Sequence, residues 1–172
     1  MTKGRRLDQS AAAAALDAAA PIPVNRGASP VLVSTIAGHD LQGKPVELLV
    51  TAGQPRRLLL FVKTDCHGCA DLLDAAVDPS AFGLDAGDEL IVIFGEDLDV
   101  DLRQELAGLP ALRSDDAWVS YHVSGAPFFS FVDPALSTVR TEGVAWGVDS
   151  VRRAIEASLS GHDQLDVGRL EA

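Results

Sequence analysis

The chain has only two cysteines, Cys66 and Cys69, separated by His67 and Gly68. Two cysteines placed at random in 172 residues fall at this spacing roughly once in ninety. The flanking sequence constrains the chain further. Residues 57–63, RLLLFVK, are a near-continuous apolar run, the pattern of a strand covered on both faces. Cys69, Leu72, Leu73, Ala76 and Val77 then recur at the spacing of one helix face, which Asp78-Pro79 stops. The pair therefore sits where a buried strand ends and a helix begins. There the first thiol meets unpaired amides and the positive end of the helix dipole. Those groups favour thiolate, the nucleophile of disulfide exchange. Two intervening residues let the second sulfur reach back and resolve a mixed disulfide, so the spacing fits a catalytic dithiol.

The alternation of patterns continues on either side. Residues 31–36 and 46–50 read as short strands, joined through the turn formers Gly38, Asp40, Gly43 and Pro45. Residues 90–94 predict another buried strand, followed by a short helix with Leu102 and Leu106 one turn apart and Gly108 as its stop. A helical piece near 115–122 has Ser114 or Asp116 available as a cap. Residues 128–132 predict a strand, Asp133-Pro134 a turn and 137–144 its antiparallel partner. The last helix is expected over about 150–158, with Val151, Ile155 and Leu159 on one stripe and Gly161 after it. The order β-β-β-α-β-α-α-β-β-α describes an α/β fold, a central sheet with helices on its faces.

Residues 1–29 form an Ala- and Pro-rich leader, 30–160 the folded domain and 161–172 a polar tail. The leader superficially resembles a secretory signal, with a basic start, an alanine run and an Ala-Ala-Ala-Pro end. Asp8, Gln9 and Ser10 delay its apolar segment, however, and Asp17 breaks it. The expectation is a cytoplasmic chain; the alternative is an exported or membrane-associated one with an atypical leader. No apolar run reaches the roughly 18 residues of a transmembrane helix. Lys and Arg number 14 against 25 Asp and Glu, giving a net charge of −11. That balance argues against nucleic acid as a partner, because phosphate binding relies on clustered basic charge. It favours a basic or polar partner surface instead.

Competing motifs fail. Gly38-x4-Gly43-Lys44 matches a phosphate loop until Pro45, and it joins two strands rather than a strand to a helix. A zinc site on Cys66, His67 and Cys69 lacks a second ligand pair, so no metal is expected. His39, His122 and His162 are scattered and read as surface or loop residues. Trp118 and Trp146 are expected to fill core or cover a groove.

LLLFVKTDCHGC, the amphipathic helix after it and the later YHVSGAPFFSFVD together resemble the thioredoxin superfamily, within it the TlpA-like and MauD-like disulfide reductases. The resemblance covers about residues 30–160. It implies a thioredoxin-like fold, a central mixed sheet flanked by helices, with an N-terminal strand pair and an additional β-α stretch before the Pro127 segment. It further implies that Cys66 is the attacking thiolate and Cys69 the resolving thiol. Pro127 would be the family's cis-proline, packed against the disulfide, and Ala126 would offer its backbone to an extended substrate. No cofactor is implied beyond the redox-active disulfide Cys66–Cys69. The implied partners are a protein disulfide substrate and a thiol electron donor.

Departures from the family pattern are equally specific. The residue before the first cysteine is usually Trp; here Asp65 stands there, and its carboxylate disfavours a neighbouring thiolate. Thioredoxins carry a buried Asp six positions before that cysteine, where this chain has Leu60. Some TlpA-like proteins carry a Glu three after the second, where this chain has Leu72. A peroxiredoxin would need Thr at Lys63. His67, when protonated, stabilises thiolate and makes the pair more oxidising. Asp65, His67 and Gly68 are thus the expected tuning residues. Two functions remain open beside a purely structural disulfide or metal clip. One is a thiol-disulfide oxidoreductase, read as a reductase. The other is a non-catalytic chaperone or maturation factor of the same fold that binds an extended peptide beside Pro127.

Overall fold

The computed structural model describes residues 32–167 apart from 96, 97 and 99. In chain order the elements are β1 (Thr35–His39), β2 (Pro45–Leu49), β3 (Arg57–Val62), α1 (Ala70–Ala75), a 3-10 turn (Pro79–Phe82), β4 (Glu89–Phe94), α2 (Val100–Glu105), β5 (Ala111–Arg113), α3 (Asp115–Ser120), β6 (Phe128–Asp133), β7 (Thr138–Val144) and α4 (Val148–Val167). One mixed seven-stranded sheet runs β2-β1-β5-β4-β3-β6-β7.

The apolar run of β3 is explained by its place in that order. Every one of its residues is buried, because β4 pairs with it in parallel and β6 antiparallel, and both faces are covered. Alternate side chains serve two cores. Leu58, Leu60 and Val62 join Cys69, Leu72, Phe82, Val151 and Ile155 on the α1 and α4 face. Leu59 and Phe61 join Ile93, Leu112, Ala117 and Tyr121 on the α3 face. At the start of β3 the buried Arg57 donates to Glu89 (2.7 Å), to Gln54 and to the Leu49 carbonyl, which ties the β2–β3 loop to the strand.

Several elements differ from the sequence expectation, each for a local reason. The first strand lies at Thr35–His39 rather than 31–36; residue 31 lies outside the described residues. Its end is fixed by Asp40, whose Oδ1 accepts from the Gln42 and Lys44 amides and closes the turn. Gly43, at φ +82°, completes that turn. Gly38 to Lys44 is therefore a hairpin and not a phosphate loop. β5 was not foreseen, since three residues after Pro110 carry no readable period. Helix α1 ends at Ala75, so Val77 falls beyond it and is 74% exposed rather than on the buried stripe. Asp78 then caps the 3-10 turn through Ser80 N, with Pro79 in its first turn and Phe82 buried. Helix α4 continues past Gly161 to Val167; one glycine costs a helix only about 1 kcal/mol. The side chains of Leu102 and His162 and the leader lie outside the described residues. Trp146 does not fill core; it is 49% exposed.

Ser114 was one of two candidate caps and is the one used. Its hydroxyl accepts from Ala117 N of α3 (3.0 Å) and donates to the Ala37 carbonyl of β1 (2.6 Å), while its amide bonds the Phe94 carbonyl (2.8 Å). The N-terminal strand pair thus joins the sheet at β5, where β1 approaches closely. A Cβ on Gly38 would stand 2.3 Å from the Arg113 carbonyl oxygen. Gly38→Ala is expected to lower stability by about 2 kcal/mol, read as a lower urea midpoint at unchanged slope. Tyr121, the chain's one tyrosine, is 3% exposed. Burial, reinforced by the charge of Glu142, pushes its phenol well above the ordinary value. In the unfolded chain it ionises near pH 10. Stability is therefore unaffected by this group below about pH 10 and falls above it, until the folded phenol also ionises. A spectroscopic tyrosinate titration of the folded chain should show no step near pH 10.

Candidate functional site

Leaving the sheet at Val62, the chain turns through residues 63–69 before α1. Cys66 and Cys69 are joined there in a disulfide, with Sγ atoms 2.14 Å and Cα atoms 5.3 Å apart. The Cys69 amide donates to the Cys66 carbonyl (3.0 Å), and the Leu73 amide to that of Cys69 (2.9 Å). Cys69 is the N-cap of α1 and its side chain makes no capping hydrogen bond. The positive end of the helix backbone thus adjoins the dithiol, opposed by Asp71 in the first turn. The sulfurs are unequal. Cys69 is 1% exposed and belongs to the core of Leu60 and Leu72, whereas Cys66 is only partly buried against that core. Leu60 and Leu72 are both fully buried, so apolar side chains occupy the places where a proton-accepting acid would lie. Asp65, His67 and Gly68, the expected tuning residues, are all exposed on the loop.

Pro127 arrives through the sheet. Phe61 of β3 is paired with Phe128 of β6, which sets the residue before β6 beside the loop after β3. The Ala126–Pro127 bond is cis. A Cβ on Gly68 would meet Pro127 Cγ at 3.6 Å and Cδ at 3.7 Å. The structure therefore brings Cys66, Cys69, Gly68 and Pro127 together from segments about sixty residues apart. Ala126 packs partly buried against the first core. The Pro127 carbonyl accepts from Ala145 N (3.1 Å). A cavity of about 200 Å³ beside it is lined by His122, Ser124, Ala126, Pro127 and Val144. His122, at φ +53°, is thus close to the proline, although only its loop position was legible beforehand.

Two further features were missed in the sequence. A cleft of about 460 Å³ is lined by both cysteines and walled on one side by Leu73 and Asp74 of α1 and Val77 just after it, and on the other by Glu105 at the end of α2 and Leu106 and Leu109 after it. Periodicity placed Leu73 and Val77 on a buried stripe, and nothing local signals that α2 faces them. Lys63, three residues before Cys66, sits 5.4 Å over the ring of Trp118, whose indole meets Phe61 edge-on at 5.6 Å. A Cβ on Gly95 would stand 3.0 Å from that indole. A larger open cavity of about 570 Å³ lies between the β1–β2 hairpin and the start of α3, lined by His39, Glu47 and Arg113, and does not reach the dithiol. Among the described residues no group of three His, Cys, Asp or Glu converges as a metal site would require.

No family model matches the chain, and no curated protein does. Solved structures do. The thioredoxin domain of a thiol-disulfide oxidoreductase from Bacteroides vulgatus superposes with a TM-score of 0.58 at 19% identity, covering 76% of this chain and 98% of its own. A secreted disulfide oxidoreductase from Mycobacterium tuberculosis, homologous to E. coli DsbE, gives 0.53 at 20% over 70% and 94%. An exposed lipoprotein thioredoxin from Streptococcus pneumoniae gives 0.51 at 17% over 72% and 98%. The fold is therefore that of thioredoxin, as the resemblance of residues 30–160 implied.

The unequal burial of the sulfurs has a direct consequence. After reduction, Cys66 should be alkylated by iodoacetamide at least about tenfold faster than Cys69, read by peptide mass spectrometry, because the reagent must reach the sulfur. Equal rates would contradict the buried position of Cys69.

Proposed function

We propose that the protein is a thiol-disulfide oxidoreductase acting on protein substrates through Cys66 and Cys69. The observation that carries this reading is the pairing of an accessible with a buried cysteine at the β3–α1 junction, with Pro127 resting against the Gly68 between them. In the reducing direction the Cys66 thiolate attacks one sulfur of a substrate disulfide. A Cys66–substrate disulfide forms and the first substrate sulfur leaves as thiolate, taking a proton. Cys69, having given up its proton, attacks Cys66 Sγ; the Cys66–Cys69 disulfide forms and the second substrate thiol departs. Two electrons pass to the substrate, and an external dithiol donor restores the enzyme. No bound cofactor enters the cycle, since the dithiol holds both electrons.

The site residues take their roles from position. The partly exposed Cys66 meets the substrate, and burial delays Cys69 until the mixed disulfide is formed. Positive helix backbone favours the thiolate, and His67 adds to that when it carries a proton, while Asp65 and Asp71 oppose it. Ala126 and Pro127 stand where an extended substrate chain would lie beside the mixed disulfide. Placement outside the reducing cytosol fits this chemistry. Two structural neighbours are described as secreted and as an exposed lipoprotein, and lasting disulfide traffic belongs to oxidising compartments.

Replacing Cys66 with Ser should abolish catalytic reduction of insulin disulfides by the full chain. Cys69→Ser should stop turnover but accumulate the mixed disulfide at Cys66, seen as an intact-mass increment. A Cys66→Ser chain that still reduced insulin would overturn the reading. The equilibrium potential of the pair sets the direction of exchange. A value near −230 mV or lower places it with reductases, and one near −180 to −120 mV with oxidants and isomerases.

A further inference from the structure

We infer that the cleft between α1 and the end of α2 is the specificity site for the exchange reaction, and that it selects a cationic protein segment carrying an apolar side chain beside its reactive cysteine. The inference rests on the oxidoreductase reading and names the substrate class of that same dithiol. Cys66 and Cys69 both line this cleft, so a side chain next to a cysteine bonded to Cys66 falls within its reach. The cleft's volume of about 460 Å³ lies in the range of roughly 300–1,000 Å³ typical of ligand sites. Pro127 is not part of its lining; the proline meets the dithiol loop at Gly68 instead.

The chemistry of the walls identifies the occupant. Leu73, Leu106 and Leu109 give the cleft an apolar floor, and Val77 stands on its rim at 74% exposure, a large hydrophobic surface to leave in water beside a reactive centre. The charged rim is one-sided. Asp74 and Glu105 are exposed on opposite walls, and Asp65 and Asp71 are exposed near the cysteines. Among the described residues Lys63 is the one lysine or arginine lining the cleft, and it is engaged over Trp118. A segment entering the cleft therefore meets an apolar surface flanked by carboxylates from two helices. Complementarity calls for Lys or Arg next to an apolar residue, and the net charge of −11 steers such a partner in and an acidic one away. Glu105, Leu106 and Leu109 lie at and just after the end of α2, so the segment between β4 and β5 supplies the wall that makes the site selective.

The test uses the reduced full chain and two disulfide-linked peptide substrates, identical except that one has Leu and Lys beside its cysteine and the other has Ser and Glu. A small neutral disulfide, bis(2-hydroxyethyl) disulfide, reports on the dithiol alone. At low salt the Leu-Lys peptide should react on the order of tenfold faster, and the ratio should shrink as salt screens the rim over roughly a 10 Å Debye length. Glu105→Lys and Asp74→Lys together alter exposed side chains only and should invert the charge preference. Equal rates for the two peptides in a chain that reduces the neutral disulfide would overturn the inference while leaving the oxidoreductase reading intact. Failure to react with any of the three disulfides would overturn the oxidoreductase reading itself, and the inference with it.

Discussion

The pairing of Phe61 with Phe128 is the constraint on which the site depends. β3 ends at Val62 and β6 begins at Phe128, and antiparallel register at that point fixes the exit of one strand beside the entry of the other. A slip of one residue would turn every β6 side chain to the opposite face. The two cores forbid it. Phe129 and Phe131 are committed to the α1–α4 side, and Phe128 and Val132 to the α3 side, all of them buried. The contact between Gly68 and Pro127 is thus set by apolar burial along whole strands, with about 2 kcal/mol at stake for each large side chain displaced into water. The dithiol needs no specific bond to find its proline.

The same arrangement explains the asymmetry of the sulfurs. Helix α1 must bury Leu72 and Ala76 against the sheet, and Cys69 lies on the same stripe as both. Once that stripe is pressed onto β3, Cys69 is carried into the core with it. Cys66, three residues earlier and outside the helix, stays at the surface. The packing of a six-residue helix thus decides which of the two sulfurs is buried.

Legibility in the sequence followed the range of the interaction. The buried run of β3, the Cys-His-Gly-Cys loop, α1 and the strand after Pro127 were readable because each rests on local period or on punctuation by Gly and Pro. The placement of Pro127 came from the resemblance, since no local rule links it to residues sixty positions away. β5 was invisible: Ala111 to Arg113 makes a strand only because Val92 to Phe94 and His39 offer partners. The end of α1 was overrun because Val77 has the character of a stripe residue but lacks a turn of helix to stand on. The cleft was missed for the same reason as β5. It is made by Leu73 facing Leu106 and Leu109, a relation that exists only after the sheet has brought α2 across.

The sheet ends on β2 and β7, and neither offers a good template for another chain. β2 is five residues long and opens with Pro45, which has no amide hydrogen to give. β7 carries alternating Thr138, Arg140 and Glu142, and a register shift at Phe131/Val132 breaks the regularity of its pairing. Short, charged or bulged edges are the devices by which sheets resist edge-to-edge aggregation. Edges blunted in this way let the chain stand beside another chain's exposed strand without adding it to the sheet.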